Sequence, residues 1–500
     1  MSGRILCLSV AALSAAARGD LPSCYDLRDH GWVTEVRNQS GCGSCWCFGT
    51  MASIESSLLM HAGWQHGGEP DLSENHLNWH HGFDPIPPCM GGDYRMTSAY
   101  FSRGSGPVLE SDAPYKVGGL YQYSVEPPEV LPVPYYIRDI EWYDTVGEIK
   151  AAVMNHGAVA TCWAYDYGTW LNDATYQGPE VAGLPNHSVT IVGWDDAWVT
   201  AAPQPGAWQV RNSWGESWSG DGYFGMSYYD KHAGKDPEMG AVSFHNVVGA
   251  FHKTIHHHDA HGWCAEKAYA HAFNAFTAAE REKLSAVSFY TTADAVGYEL
   301  KVYTAFSGGQ LGGLAASGSG TIDFKGFHTI DLGAPVALMA GEAFYVYLYL
   351  DNGEQAIDCT VMKDVLMGDA GGAYEVVSEA HPGESFYSAD GSAWADLYDE
   401  HADHSANFCI KGLTTELLLG DATLDDSVDY LDLGVLASRY NQPGGWTDGD
   451  FTADGLVNYL DLGILATHYG AGGGGPVPEP AAAILLVAGW AALRRPRRRA

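Results

Sequence analysis

Positive charge is what this 500-residue chain lacks most: 26 Lys and Arg stand against 61 Asp and Glu, a net charge of −35. With no basic stripe to neutralise phosphates, nucleic acid is excluded as a partner, and solubility and calcium binding become the uses for so many carboxylates. Long apolar runs are missing too. The two terminal stretches, Ile5–Ala17 and the thirteen residues Ala481–Leu493, fall short of the ~20 residues a stable membrane-spanning helix needs. Cysteine is sparse, ten in all, and suits an exported chain better than a cytosolic one. A chain of this length that is 46% hydrophobic exceeds what one core holds, so two or three domains are expected.

What is present begins with an export signal. Residues 1–19 carry Arg4, a short apolar run and small residues near Ala15 and Ala17 in an A-x-A-like pattern, as a cleavable signal does. Cys7 leaves with it. The stretch "NQSGCGSCWCFG", Asn38 to Gly49, then places Cys42, Cys45 and Cys47 within six positions. A zinc site would need separated ligand pairs, and only lone cysteines follow, so the metal reading is weak. A nucleophile fits better. Ser44 is a good N-cap, and "CWCFGTMASIESSLLM" reads as a helix with Trp46, Met51, Ile54 and Leu58 on one broad face. Cys45 then sits in the first turn, where free N–H groups and the dipole favour thiolate.

A thiolate nucleophile needs a base, a group to orient that base, and donors for the oxyanion. "PNHSVTIVGWDD" puts His187 at the head of a β-branched run, and "VRNSWGESWSGDGYF" puts Asn212 beside an aromatic, glycine-rich turn. Q-x-x-C-G-S-C-W, N-H-x-V-x-x-V-G and N-S-W-G, in that order, resemble the papain-like cysteine peptidases over about residues 20–250. That resemblance implies Cys45 as nucleophile, His187 as base and acid, Asn212 as the residue orienting the imidazole, and Trp214 as its shield. It implies Gln39 as an oxyanion donor alongside the Cys45 N–H, and peptide-bond hydrolysis through an acyl-enzyme without a cofactor. It also implies a disulfide from Cys42 to Cys89 of "CMGG", whose Gly91 and Gly92 would pair with the substrate backbone. Cys47 is left as a small buried hydrophobe.

Departures accompany the match. "LPSCYDLRDHGWVTEVRNQ" resembles a mature start and follows the signal directly, so latency is absent or comes from another region. "LSENHLNWHH" matches a family stretch but lacks the cysteine of a second disulfide. "GAVATCWAYD" resembles the strand lining the pocket for the substrate's second residue, which makes Cys162 or Trp163 a specificity candidate. "DDAWVTAAPQPGAW" lengthens the connection between His187 and Asn212 and could hold an occluding loop.

From about Phe251 the composition changes. "HKTIHHHDAHGWC" could bind a metal through His256, His257, His258 and His261, but a connecting segment exposing histidines is the plainer reading. Period-two alternation follows, as in "EAFYVYLYL", with Phe344, Val346, Leu348 and Leu350 on one side and Tyr345, Tyr347 and Tyr349 on the other. A β-sandwich is expected, resembling the lectin-like domain that follows papain-like peptidases in some bacterial proteins. Its Tyr face could bind a glycan or pack on the peptidase, and Cys359 and Cys409 could form a bridge.

"YLDLGVLASRY" recurs as "YLDLGILATHY" 29 residues later, each after an acidic loop. Asp450, Thr452, Asp454, Asn458 and Asp461 occupy positions 1, 3, 5, 9 and 12 of an EF-hand-like oxygen pattern, with Gly455 at 6. Asp421, Thr423, Asp425, Asp429 and Asp432 repeat it, with Asp426 in place of the glycine. Residues 419–470 thus resemble a type I dockerin, implying Ca2+ and a cohesin-like partner or a folded calcium spacer. After "GAGGGG", the tail "PVPEPAAAILLVAGWAALRRPRRRA" resembles a PEP-CTERM sorting signal, which implies export to a bacterial envelope and membrane contact through that tail alone.

The expected fold is therefore an α+β papain-like peptidase (20–250) with a helical half and a β-barrel-like half, an all-β sandwich (251–413), and a small α EF-hand-like calcium module (419–470), between a signal (1–19) and a linker with sorting tail (471–500). The favoured function is an exported cysteine endopeptidase. A catalytically silent surface scaffold is the alternative, disfavoured because no catalytic position is substituted.

Overall fold

The computed structural model describes residues 21–116, 124–165, 168–366 and 372–472. The expected signal and sorting tail lie outside the described residues.

Helix α1 (Cys45–Met60) is buried on every side from Cys45 to Leu58, so it is a central helix and not the one-faced helix its pattern suggested. Ser44 precedes it but does not cap it; its hydroxyl meets the Tyr115 hydroxyl at 2.7 Å instead. Two short helices flank α1. In α2 (Glu74–His80) the Ser73 hydroxyl accepts from the His76 N–H, and in α3 (Tyr94–Ser102) the Asp93 carboxylate accepts from the Met96 N–H. A full capping box, Thr145 with Glu148, starts α4 (Val146–His156).

These helices pack on one end of a thirteen-stranded sheet. On the peptidase side it holds, in spatial order, Tyr135–Tyr143, Ala241–Gly249, Val159–Trp163, His187–Asp195, Ala207–Arg211 and Tyr223–Ser227. The change in composition near Phe251 is not a break in packing. The same sheet continues through Gly326–Leu338, Glu282–Thr291 and Ile410–Glu416, and the seam is an antiparallel pairing of Phe327 with Ile140 and His328 with Asp139. The Trp142 N–H donates to the Lys325 carbonyl at 3.0 Å beside it. One core follows the sheet across, joining Trp46, Phe83 and Met96 to Tyr290, Phe327 and Leu413.

The far end of this sheet faces a six-stranded sheet centred on Val296–Ser307, Ala343–Leu350 and His271–Thr277. Leu284, Val287, Leu300, Val346 and Leu348 fill the space between, so one of the sandwich's two sheets is continuous with the sheet of the peptidase side. The Tyr face points away from that core and also away from the peptidase. Tyr345 meets Phe273 and Phe306, and Tyr347 meets Trp394, all of its own domain.

Three expectations are corrected here. Cys359 and Cys409 are both free thiols: Cys359 faces the sandwich core while Cys409 joins the core shared with α1, because the Cys409 N–H bonds the Ala356 carbonyl and the two thiols fall on different layers. The histidines of "HKTIHHHDAHGWC" are not an exposed connector. His256 meets Glu282 at 2.7 Å, His258 the Ala275 carbonyl at 2.8 Å, and His261 both Ser378 and the Gly82 carbonyl, so each is held separately. The insertion after Asp195 leaves the far end of the His187–Asp195 strand, eight residues or about 26 Å from His187, and cannot occlude it.

Beyond Glu416, helices Tyr430–Arg439 and Tyr459–His468 pack around Leu436, Trp446, Phe451 and Leu465. Asp426 adopts φ 64°, matching Gly455 at φ 84° in the second loop, and its carboxylate pairs with Lys283 of the sandwich at 2.5 Å. The residue that departs from the loop pattern is thus the one that ties the module down.

Phe327 belongs to the sandwich by sequence but to the peptidase core by packing. Phe327→Ala is expected to cost about 3–5 kcal/mol in chemical denaturation and to lower peptide hydrolysis with it; a loss below about 1 kcal/mol would contradict a shared core.

Candidate active site

Three elements of the sheet and α1 converge at Cys45. The cysteine is the first residue of α1, 3% exposed, and the Ser188 backbone lies in hydrogen-bonding contact with its thiol. His187 heads the adjacent strand and is 4% exposed. Asn212 follows the next strand, Ala207–Arg211, and is held where its N–H donates to the Gly222 carbonyl at 3.0 Å.

The imidazole is fixed in one tautomer. Asn212 Oδ1 accepts from the Ser213 N–H at 2.8 Å, so it is the carbonyl oxygen, and His187 Nε2 at 2.7 Å from it must be the donor. Nδ1 is then left as the basic nitrogen. Trp214 stacks on the imidazole, 4.4 Å between centroids, and is braced edge-on by Trp218 and Tyr165. That stack excludes water from the Asn212 contact, which strengthens it.

Gln39 is clamped from both ends. Its side-chain oxygen accepts from the Ser213 hydroxyl at 2.6 Å, its amide donates to the Cys42 carbonyl at 2.9 Å, and its N–H donates to the Ser213 carbonyl at 2.8 Å. Ser213 therefore links the proposed oxyanion donor to the imidazole's orienter. It lies inside the N-S-W-G motif, where the sequence offered the residue but not the role. Tyr115 had no signal at all, yet its hydroxyl holds both Ser44 and the Gln39 carbonyl.

Cys42 and Cys89 form a disulfide. It brings the CMGG loop against Gly43, which exchanges hydrogen bonds with Cys89 and Gly91 at 3.1 Å each. Gly92 has no room for a side chain: a Cβ there would lie 2.4 Å from the Trp46 indole. Cys162 is fully buried on the strand paired to Ser188, and Trp163 pairs with His187, so both back the site from inside. Cys47 is fully buried as well.

Electrostatics follow burial. Desolvation pushes the Cys45 thiol up to about 11, only partly offset by backbone hydrogen bonds. Desolvation also pushes His187 down to about 4, although the Asn212 bond favours its charged form. Burial thus disfavours the charged form of each group taken singly.

In the first acidic loop Asp421 and Asp432 are fully buried, and Thr423 Oγ1 lies 3.2 and 3.1 Å from their Oδ1 atoms. In the second loop Thr452 Oγ1 lies 3.1 Å from Asp450 Oδ1, and Asp461 Oδ1 accepts from the Thr452 N–H at 2.9 Å. Asp425 and Asp454 bond the N–H two residues on, and Asp429 and Asn458 cap their helices. Elsewhere among the described residues, Glu141, His156 and His245 bring ligand atoms within 4.8 Å. The two imidazoles stack face to face at 3.8 Å, however, and in-plane lone pairs of stacked rings do not converge on one ion.

Residues 21–241 match a family model described as papain family cysteine protease, and residues 255–414 one described as lectin-like domain. Residues 21–241 are a papain family cysteine protease domain. Fruit bromelain of Ananas comosus is 29% identical over 211 residues, 41% of this chain and 55% of bromelain. Cathepsin J of Mus musculus is 28% identical over 220 residues, 43% of this chain and 63% of its own. The chain thus spans little more than half the length of such curated relatives. Among solved structures, the clostridial cysteine protease Cwp84 after propeptide cleavage superposes with TM-score 0.67 at 25% identity, over 79% of this chain and 100% of that one. The cysteine protease and lectin-like domains of Cwp84, a surface layer associated protein of Clostridium difficile, give 0.65 at 24%, over 79% and 89%. The protease domain and the lectin-like domain therefore occur together in a known fold.

Because burial lowers His187, the imidazole becomes a free acceptor above about pH 4, and hydrolysis by the protease domain is expected to rise through about that pH. An acid limb near 6.5, the ordinary histidine value, would contradict the buried geometry. Asn212→Ala should lower kcat on the order of 10²-fold by releasing the ring.

Proposed function

We propose that the protein is an exported cysteine endopeptidase that cleaves peptide bonds through an acyl-enzyme on Cys45. The observation that carries this is the single tautomer of His187, held at 2.7 Å by Asn212 under Trp214, with the Cys45 thiol on the adjoining Ser188 backbone. His187 Nδ1 takes the thiol proton as sulfur attacks the scissile carbonyl. The oxyanion is met by the Cys45 N–H at the head of α1 and by the Gln39 side-chain amide. The imidazolium then protonates the leaving amine, and water, deprotonated by the same nitrogen, releases the acid and restores the thiol. Gly91 and Gly92 are the expected partners of the substrate backbone, with Cys162 and Trp163 behind the adjoining pocket.

Export and a place at the cell surface are supported by the signal-like first residues and by the likeness to Cwp84, which is surface layer associated. Calcium is proposed for the acidic loops on the chemistry of their donors. Four carboxylates, Asp421, Asp432, Asp450 and Asp461, are at most 2% exposed, and burial with Asp432 and Asp425 nearby raises Asp421. Buried like charges of this kind call for a hard cation with oxygen ligands. When bound, Ca2+ would neutralise them and order both loops; hydrolysis makes no use of it.

Incubating the full chain with an epoxide cysteine-peptidase inhibitor and a peptide library tests the enzyme. Adduct mass on Cys45 together with cleavage that disappears in Cys45→Ala is expected; a folded protein with neither would sink the proposal. Chelation with EDTA should make residues 419–470 susceptible to added trypsin while peptide hydrolysis persists, and unchanged trypsin resistance would refute the calcium assignment.

A further inference from the structure

Within the lectin-like domain, strand Val361–Asp364 pairs with Ala373–Val376 and lies against the protease domain at the start of α3. Lys363 is only 7% exposed, and its ammonium sits 2.5 Å from Asp93 and 2.9 Å from Glu238, both of the protease domain. Past the strand, Val365 and Leu366 are buried in the same core cluster as Trp46. The Leu366 N–H donates to the Gly92 carbonyl at 3.4 Å.

Position gives these contacts their meaning. Gly92 lies between Cys89 of the disulfide and Asp93, and touches the indole of Trp46, the residue after Cys45. A substrate chain pairing with Gly92 needs that carbonyl and the space beside it. That carbonyl already accepts from the Leu366 N–H of the other domain. The strand is held there by the Lys363 ion pairs together with the buried Val365 and Leu366, and a cavity of about 290 Å³ is lined by Arg95 and Glu238 of the protease domain and Trp263, Lys363 and Asp364 of the lectin-like domain. Lys363 with its two carboxylates is the fastening, and loss of a buried partner leaves the rest uncompensated.

We infer that the lectin-like domain forms one wall of the substrate cleft and competes with the substrate backbone for Gly92, with Lys363 as the positioning residue that holds it in place. This rests on the proposed roles of Cys45 and Gly92. It makes the second domain a determinant of which peptides enter, separate from any binding of its own.

Two alkylating reagents separate this role from a structural one. Iodoacetamide reaches Cys45 without pairing to Gly92, whereas a peptidyl epoxide must pair with it. In the full chain, Lys363→Met should speed epoxide labelling of Cys45 about tenfold and leave the iodoacetamide rate within about twofold. Lys363→Met combined with Asp93→Asn removes the pair without stranding the Asp93 carboxylate, keeps a side chain able to cap α3, and should behave alike if the single variant unfolds. Iodoacetamide labelling with epoxide rates unchanged in both variants would overturn the inference and leave the enzyme intact. Labelling by neither reagent in any form would remove the proposed enzyme, and the inference with it.

Discussion

Everything around the active site depends on an edge that is not left open. The strand Tyr135–Tyr143 would be exposed on one side if the protease domain stood alone, and an uncovered strand edge invites pairing with other chains. Here Gly326, Phe327 and His328 complete it, and the sheet runs on into the lectin-like domain. Polar contacts reinforce the seam. The Tyr290 hydroxyl meets Ser98 at 2.8 Å and Ser102 at 3.3 Å on α3, and Arg95 lies over Trp263.

That rigidity reaches the chemistry through α1. The helix packs between the sheet and α2 and α3, and its first residue is fixed where the Ser188 backbone meets the thiol. The same enclosure lowers the dielectric, which disfavours charge on the thiol and on the imidazole taken singly and strengthens the Asn212 contact beneath Trp214. A site closed this way is also one whose entrance can be shared with a neighbouring domain, as Lys363 and Leu366 show at Gly92.

The chemistry was more legible in the sequence than the architecture. Cys45, His187 and Asn212 each sit in a motif of the papain-like resemblance, and that resemblance carried the expectation that they converge. Alternation in "EAFYVYLYL" located its two faces correctly, since period two is a local property. It could not say which sheet would supply the opposing layer, because pairing between residues some 190 positions apart, Phe327 with Ile140, leaves no local mark. Lys363 and Asp93 are hidden for the same reason. The histidine run misled because composition suggested solvent, whereas His256, His258 and His261 each found a partner on a different element. Asp426 looked like a defect in a calcium loop until Lys283 was seen beside it.

The shared sheet should make the two domains open as one cooperative body. Native-state hydrogen exchange on the full chain, followed peptide by peptide, tests it directly, because amides that open only with the core exchange with the core. The account predicts that peptides covering Tyr135–Tyr143 and Gly326–Leu338 exchange as slowly as those of α1 and lose protection together with them. Exchange of the seam peptides at the rate of exposed loops, while α1 and the His271–Thr277 strand stay protected, would contradict it.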